Sequence, residues 1–194
     1  MEKRECNSKE MDRLAKKIEF LDNPERRGDI PPEQLLNMLP IHKTANILDL
    51  GAGTGYITIP AAKIVEGQVY ALDIDPKMLE VVDSKAKKEN ISNIKTLKGS
   101  IDDIPLPDHS VDLALASLVL HEVKNLAHSL EQIKQVLKSD GYFVCIELEK
   151  KDNPTDHHPR ISSVTMEQEI TNAGLRVIQT LNPTDVIYII IAKK

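Results

Sequence analysis

Ile47-Leu48-Asp49-Leu50-Gly51-Ala52-Gly53-Thr54-Gly55-Tyr56 is the stretch that decides the fold of this chain. An apolar run of strand length meets three glycines, and a helix is expected behind them from about Tyr56 to Val65. Pro60 is tolerable there, because the N–H groups of a first turn have no intrahelical partner to lose. A glycine loop in this position lets backbone N–H groups approach a ligand closely, at the carboxyl edge of a sheet. Two details argue against a dinucleotide. Its fingerprint needs a third small residue three positions after the second glycine, and here that position is Tyr56. Asp49, just before the loop, would repel a pyrophosphate and suits a ligand that carries positive charge. A glycine-rich turn that binds nothing is the plain alternative.

Working outward, Gln68 to Leu72 reads as a second strand closed by Asp73. Asp75-Pro76 then reads as N-cap and first helical position, opening a helix to about Asn90 with Met78, Leu79, Val82 and Ala86 on one face. Asn93 to Leu97 and Val111 to Ala116 are strands three and four. Leu126, Leu130, Ile133 and Leu137 form a helical stripe that is expected to end at Gly141, before a fifth strand, Tyr142 to Leu148. Thr165 and Gln168 are spaced as a capping box for a helix to Ala173, with Gly174 behind it. Leu175 to Leu181 and Val186 to Ala192 are the last strands. Asn182-Pro183-Thr184-Asp185 leaves no room for a crossover helix, which forces an antiparallel pair. Ile187 to Ile191 is continuously apolar and belongs inside the sheet. Strands alternating with helices predict an α/β, doubly wound architecture.

Before the first strand, Met11, Leu14, Ile18 and Leu21 form a helical stripe with Ser8 as its expected cap. A polar link, Asn23 to Pro32, and a short helix, Glu33 to Leu39, follow, and Pro40 stops that helix. The 194 residues predict one domain over 1–194, with 1–40 a helical extension and candidate lid. Apolar residues make up 41% and charged residues 28%, enough apolar surface to exclude a disordered chain. No apolar run approaches the roughly 20 residues of a bilayer span. The net charge of −5 supplies no general attraction to nucleic acid, so no nucleic-acid or membrane partner is expected. Met1-Glu2-Lys3-Arg4-Glu5 carries no apolar signal core, and the two cysteines, Cys6 and Cys145, have neither metal-ligand nor disulfide-framework spacing. A reducing, cytoplasmic setting without a metal is expected.

S-adenosylmethionine meets the demand that Asp49 makes: it carries a sulfonium, an ammonium and a ribose whose hydroxyls Asp73 is placed to accept. Ile47 to Tyr56 resembles the first motif of class I S-adenosylmethionine-dependent methyltransferases. Val69-Tyr70-Ala71-Leu72-Asp73-Ile74-Asp75-Pro76-Lys77-Met78-Leu79 resembles their second, and Ile104 to Leu113 the approach to their fourth strand. The likeness runs from about Pro31 onward and is nearest to the type 11 domains, relatives of ubiquinone/menaquinone methyltransferases. It implies a seven-stranded Rossmann-like sheet in the order 3-2-1-4-5-7-6 with strand seven antiparallel. It implies that Asp49, Gly51, Ala52, Gly53 and Gly55 cradle the methionine part, that Asp73 binds ribose, and that Ile74 and Met78 flank adenine. The family often reads Gly-Asp-Ala after strand three, where this chain has Gly99-Ser100-Ile101 followed by Asp102 and Asp103. Ser100 or Asp102 would then meet the adenine amino group, with Ile101 beside it and Ser117 at the end of strand four; a solvated loop is the alternative for the two aspartates.

Methyl transfer is an in-line displacement at an activated carbon, so a site can lack a catalytic signature, and a base is needed only when the acceptor loses a proton. His121, in Ser117-Leu118-Val119-Leu120-His121-Glu122, follows strand four at the edge where ligands bind, and similar proteins often carry His there. It is the candidate base, with Glu122 beside it; capping of the next helix is the alternative for both. Asp156-His157-His158-Pro159-Arg160 leaves the same edge, where His157, His158 and Arg160 are the candidates for steering an anionic acceptor; a solvated loop is the alternative. Lys16-Lys17 and Arg26-Arg27 read as solvated pairs. Ser117 to Leu120 is not the Pro-Pro-Tyr signature of amide or adenine methylation, Cys145 lies within a strand and not in the site, and two distant cysteines do not suit arsenite. The reading is a methyltransferase for a small-molecule acceptor, with oligomeric state open. A macromolecular acceptor and a binding module that has lost catalysis are the rivals, with a nucleotide- or NAD-binding domain behind them.

Overall fold

The computed structural model describes residues 2–28, 30–150 and 159–194. Seven strands form one sheet in the order β3-β2-β1-β4-β5-β7-β6. They are β1 (Ile47–Leu50), β2 (Val69–Asp73), β3 (Ile94–Lys98), β4 (Val111–Ser117), β5 (Leu137–Leu148), β6 (Arg176–Leu181) and β7 (Ile187–Lys193). β1 to β5 pair in parallel, and β7 runs antiparallel between β5 and β6. The expected order and the reversed seventh strand are both observed. Ile187 to Ala192 of β7 are all buried, as an interior strand of that composition requires.

Alternation along the strands feeds two apolar cores. Leu48, Ala114, Phe143 and Tyr188 pack with Leu130 and Ile133 of α5 (Leu126–Val136) and with Met166 and Ile170 of α6 (Ser163–Asn172). Ile47, Leu113, Val144 and Ile189 face the other way, onto Leu35 and Leu36 of α2 (Pro32–Asn37) and Ala61 of α3 (Thr58–Ile64). Each fully buried aliphatic side chain contributes about 1.5–3 kcal/mol relative to exposure. α4 (Pro76–Lys88) covers β2 and β3 on that second face, with Asp75 as its N-cap, the carboxylate accepting from the Lys77 N–H at 3.0 Å.

Several local expectations are corrected. α1 (Glu2–Asp22) runs through Ser8, so Ser8 is not a cap; no Gly or Pro lies near it to stop the helix. Its stripe is not core: Leu14, Ile18 and Leu21 are half-buried and Met11 is exposed. α3 begins two residues after Tyr56, because the glycine loop turns through position 57 first. α5 stops at Val136, not at Gly141, since Leu137 already pairs with Val111 in β5. Residues 138 to 141 then form an irregularity in the ladder, before Leu113 meets Tyr142. α6 is capped by Ser162, whose Oγ accepts from the Thr165 N–H at 3.2 Å, one turn before the expected box. β3 passes to β4 through a loop with no helix. No helix among the described residues is long and apolar enough to cross a membrane.

Candidate functional site

Register brings the site together. Leu50 lies opposite Leu72 on one side and Ala116 on the other, so Gly51, Asp73 and Ser117 emerge at one edge. Gly51, Gly53 and Gly55 have φ of +66°, +53° and +82°. A side chain in that left-handed region costs about 1–2 kcal/mol. A Cβ on Gly51 would also lie 2.5 Å from Val119 Cγ2. The loop is tied to β2: Ala52 N–H donates to the Leu72 carbonyl at 2.9 Å, and Gly53 N–H to Asp73 Oδ2 at 2.8 Å. Asp73 Oδ1 accepts from the Asp75 N–H at 2.8 Å. A carboxylate offers about four lone-pair positions, so Asp73 keeps acceptor capacity on both oxygens.

This edge opens into a cavity of about 740 Å³. Gly51, Ala52 and Gly53 form its floor; Asp73, Ile74 and Met78 come from β2 and α4, and Ser100, Ile101 and Asp102 from the loop after β3. Ser117, Leu118, Val119, Glu122 and Val123 close the β4 side. Leu118 holds φ of +56° while its N–H donates to the Ile146 carbonyl at 2.8 Å. A non-glycine residue kept in that region is backbone strain placed at the cavity wall.

α1 supplies Lys17, Phe20 and Leu21 as the remaining wall. Its C-terminal end is pinned by Asp22, which accepts from Thr54 Oγ1 at 2.5 Å and from Lys85 Nζ at 2.9 Å. Lys17 Nζ donates to Asp75 Oδ2 at 2.7 Å, so Lys17 is engaged rather than simply solvated, and its hydrogen bond holds the Asp75 carboxyl below its ordinary value. The side chains of Arg26, Arg27 and Cys6 are outside the described set.

The sequence-predicted residues divide. Nine of the cofactor candidates line the cavity: Gly51, Ala52, Gly53, Asp73, Ile74, Met78, Ser100, Ile101 and Ser117. Asp49 and Gly55 lie outside its lining. Asp49 is buried and accepts from Thr58 Oγ1 at 2.5 Å, which ties β1 to α3; a Cβ on Gly55 would lie 3.2 Å from Val82 of α4. Ser100 Oγ accepts from the Asp102 N–H at 3.2 Å, and the Asp102 carboxylate accepts from Ser129 Oγ of α5. Asp103 is exposed.

His121 sits in a 3-10 turn, Leu120–Glu122, directly behind the wall that Val119, Glu122 and Val123 form. Its Nδ1 is 2.8 Å from Glu147 Oε2, and its Nε2 is 3.8 Å from Glu122 Oε1. Glu147 is 2% exposed, and its Oε1 accepts from the Leu120 N–H at 2.9 Å. The sequence favoured His121 over Glu122 as the lining residue; the structure gives the wall to Glu122. Glu147 was missed altogether. Its signal was an acid inside the apolar run Val144-Cys145-Ile146-Glu147-Leu148, a place acids occupy almost only when paired. Arg160 Nη1 donates to the Glu149 carbonyl at 3.2 Å, at the exit of β5, and Arg160 is not part of the cavity lining. Asp156, His157 and His158 lie outside the described residues.

These residues fit S-adenosylmethionine. The glycine floor contributes no cation, the β2 carboxylate has spare acceptors for hydroxyls, and Ile74, Met78 and Ile101 offer apolar surface for a purine. A Cβ on Gly53 would come 3.5 Å from Leu21 Cδ1, so it would fill space between two cavity walls. Tyr56 also lines the cavity, at the position where a dinucleotide site needs a small residue.

Residues 48–145 match the family model described as a methyltransferase domain. The demethylmenaquinone methyltransferase of Geobacillus sp. (strain WCH70) is 30% identical over 141 residues, 72% of this chain and 58% of that protein. The protein of the same name from Geobacillus stearothermophilus is 31% identical over 138 residues, 70% of this chain and 57% of that one. The chain therefore spans less than two thirds of the length of these curated relatives. A solved S-adenosylmethionine-dependent methyltransferase from Aquifex aeolicus superposes with a TM-score of 0.83 at 28% identity, covering 92% of this chain and 97% of that one. The chain belongs to the methyltransferase domain family, the class I enzymes whose cofactor is S-adenosylmethionine.

Proposed function

We propose that this chain transfers a methyl group from S-adenosylmethionine to a small, largely apolar acceptor. One observation carries the reading. Besides the glycine floor and Asp73, the cavity is lined by Phe20 and Leu21 of α1 and by Val119 and Val123 after β4, apolar surface with Lys17, Glu122 and Lys124 among it. Relatives named demethylmenaquinone methyltransferase support a quinone-like aromatic acceptor for such a space.

When bound, S-adenosylmethionine supplies a methyl group on positively charged sulfur, already activated for in-line displacement. The chain's own residues orient and shield. Asp73 would accept the ribose hydroxyls, backbone carbonyls of the Gly51 to Gly53 floor would meet the ammonium of the amino-acid end, and Ile74 and Met78 would flank the purine. Asp49, buried beneath the loop, supports it through Thr58 and adds negative potential that favours a cation. The 1–40 extension acts as a lid, its helix α1 excluding water through Phe20 and Leu21. The acceptor's proton passes toward His121 through Glu122, the wall residue whose Oε1 is 3.8 Å from His121 Nε2. Arg160, which donates to the Glu149 carbonyl at the exit of β5, would steer an anionic group on the acceptor.

The test is transfer of labelled methyl into a cell extract. Label in the organic-extractable, low-mass fraction is expected. Label in protein or RNA, or none above a blank, overturns the small-molecule reading.

A further inference from the structure

Two cations line the cavity, Lys17 and Lys124. Lys17 is engaged, its Nζ donating to Asp75 Oδ2 at 2.7 Å. Lys124 has no hydrogen bond or ion pair among the described residues. The carboxylates of the lining are occupied elsewhere. Asp75 holds Lys17, Asp73 accepts from the Gly53 and Asp75 N–H groups, and Asp102 accepts from Ser129 Oγ. Glu122, two positions before Lys124, approaches His121 instead, at 3.8 Å. Lys124 stands on a short connection pinned at both ends. Before it, the Leu120 N–H donates to the buried Glu147 carboxylate at 2.9 Å; after it, Asn125 caps α5, its Oδ1 accepting from the His128 N–H at 3.1 Å. Position 124 is therefore held on the same wall as Val119 and Val123. A lysine directly before a helix N-cap also runs against the helix dipole, whose positive end disfavours a cation. Local structure gives no reason for a cation there; a negative charge inside the cavity does.

We infer that Lys124 is a specificity-determining residue whose ammonium pairs with a carboxylate on the methyl acceptor. This rests on the methyltransferase reading and narrows its substrate to an organic acid, with its apolar body against Val119 and Val123 and its carboxylate at Lys124. One ammonium matches one negative charge, and no guanidinium fork stands in the lining to suit a phosphate dianion. The carboxylate is not itself methylated. A cation held on the attacking oxygen would draw away the electron pair that must form the new bond. The methyl group goes to another atom, and the product keeps the negative charge of the acceptor.

The test uses the whole chain, labelled S-adenosylmethionine and a cell metabolite extract. Labelled product, extracted into organic solvent after acidification, should bind an anion exchanger at about pH 7 and leave it at about pH 2, where a carboxylate is protonated. Label that passes through at the higher pH, or that stays bound at the lower one as a phosphate or sulfonate would, overturns the inference. Variants tie the charge to this residue. Lys124 is exposed and without a partner among the described residues, so changing it removes no contact that holds the fold. K124R should keep transfer. K124Q should lower it by roughly 2- to 10-fold in dilute extract, and K124E further. The gap should close as the extract is concentrated, because a lost pairing raises KM and leaves kcat alone. S-adenosylhomocysteine affinity, read by calorimetry, should be equal in all four proteins. Equal transfer by wild type and K124E at every dilution overturns the inference. A wild type that binds no S-adenosylhomocysteine and transfers no label rejects the underlying methyltransferase reading, and this inference with it.

Discussion

Replacing Asp73 by Asn probes the joint between fold and cofactor. Asp73 Oδ2 accepts from Gly53 N–H and Oδ1 from Asp75 N–H, both at 2.8 Å. An asparagine has one oxygen for those two donors, so its NH₂ must face one of the backbone N–H groups. Losing one hydrogen bond to a charged acceptor costs about 1.5–3 kcal/mol. For a chain of this length each kcal/mol lowers the melting temperature by roughly 2–4 °C. The ribose loses an acceptor at the same time, again about 1.5–3 kcal/mol, or roughly 10- to 150-fold in affinity. Calorimetric titration with S-adenosylhomocysteine reads the second effect and thermal melting of the free protein reads the first. A 2′,3′-dideoxy analogue completes the cycle: it should bind wild type and Asp73→Asn alike. If Asp73→Asn melts lower but binds S-adenosylhomocysteine within twofold of wild type, Asp73 only pins the glycine loop and the ribose assignment is wrong.

Gly51→Ala combines a φ of +66° with a Cβ 2.5 Å from Val119, and should cost about 2–4 kcal/mol, read as a lowered denaturation midpoint. Asp22→Ala removes the acceptor for Thr54 and Lys85; α1 should become more sensitive to limited proteolysis and S-adenosylhomocysteine should dissociate faster, with equal rates counting against a lid. Asp112 is the acid-sensitive site. Burial opposes its charge, but Lys138 at 2.8 Å and the Asn46 N–H outweigh that and hold its carboxyl below the ordinary 3.8. Its stabilising contribution is full above 3.8 and is lost as pH falls through the depressed value, so Asp112→Asn should lower stability at neutral pH and narrow the gap to wild type in acid. His121→Gln should lower transfer of labelled methyl while leaving S-adenosylhomocysteine affinity unchanged; normal transfer retires His121 as the base.

The sheet was legible because its signals are local and agree with one another. Three glycines after an apolar run, Asp75-Pro76 at a helix start, and a turn too short for a crossover before β7 each allow few alternatives. Helix ends were less legible, because the deciding partners are distant. Lys138 to Gly141 reads as the tail of a helix until Val111 is seen pairing with Leu137. Ser8 looks like a cap in a sequence whose neighbours are equally content in helix. In the site, the residues on strand ends could be placed from sequence because register brings Gly51, Asp73 and Ser117 to one edge. His121, Glu122 and Glu147 could not be ranked that way. Which of them faces the cavity depends on a turn after β4 that is held by a carboxylate from β5. Lys17 is similar: its partner Asp75 is 58 residues away, and nothing near it in sequence announces the pairing.

The central claim is that the glycine floor receives a cationic sulfur nucleoside and not a dinucleotide. Side-by-side calorimetric titration of the wild-type chain with S-adenosylmethionine and with NAD tests it most directly. Saturable, one-to-one binding of S-adenosylmethionine with no heat from NAD is the predicted result. Saturable binding of NAD with none of S-adenosylmethionine would contradict it.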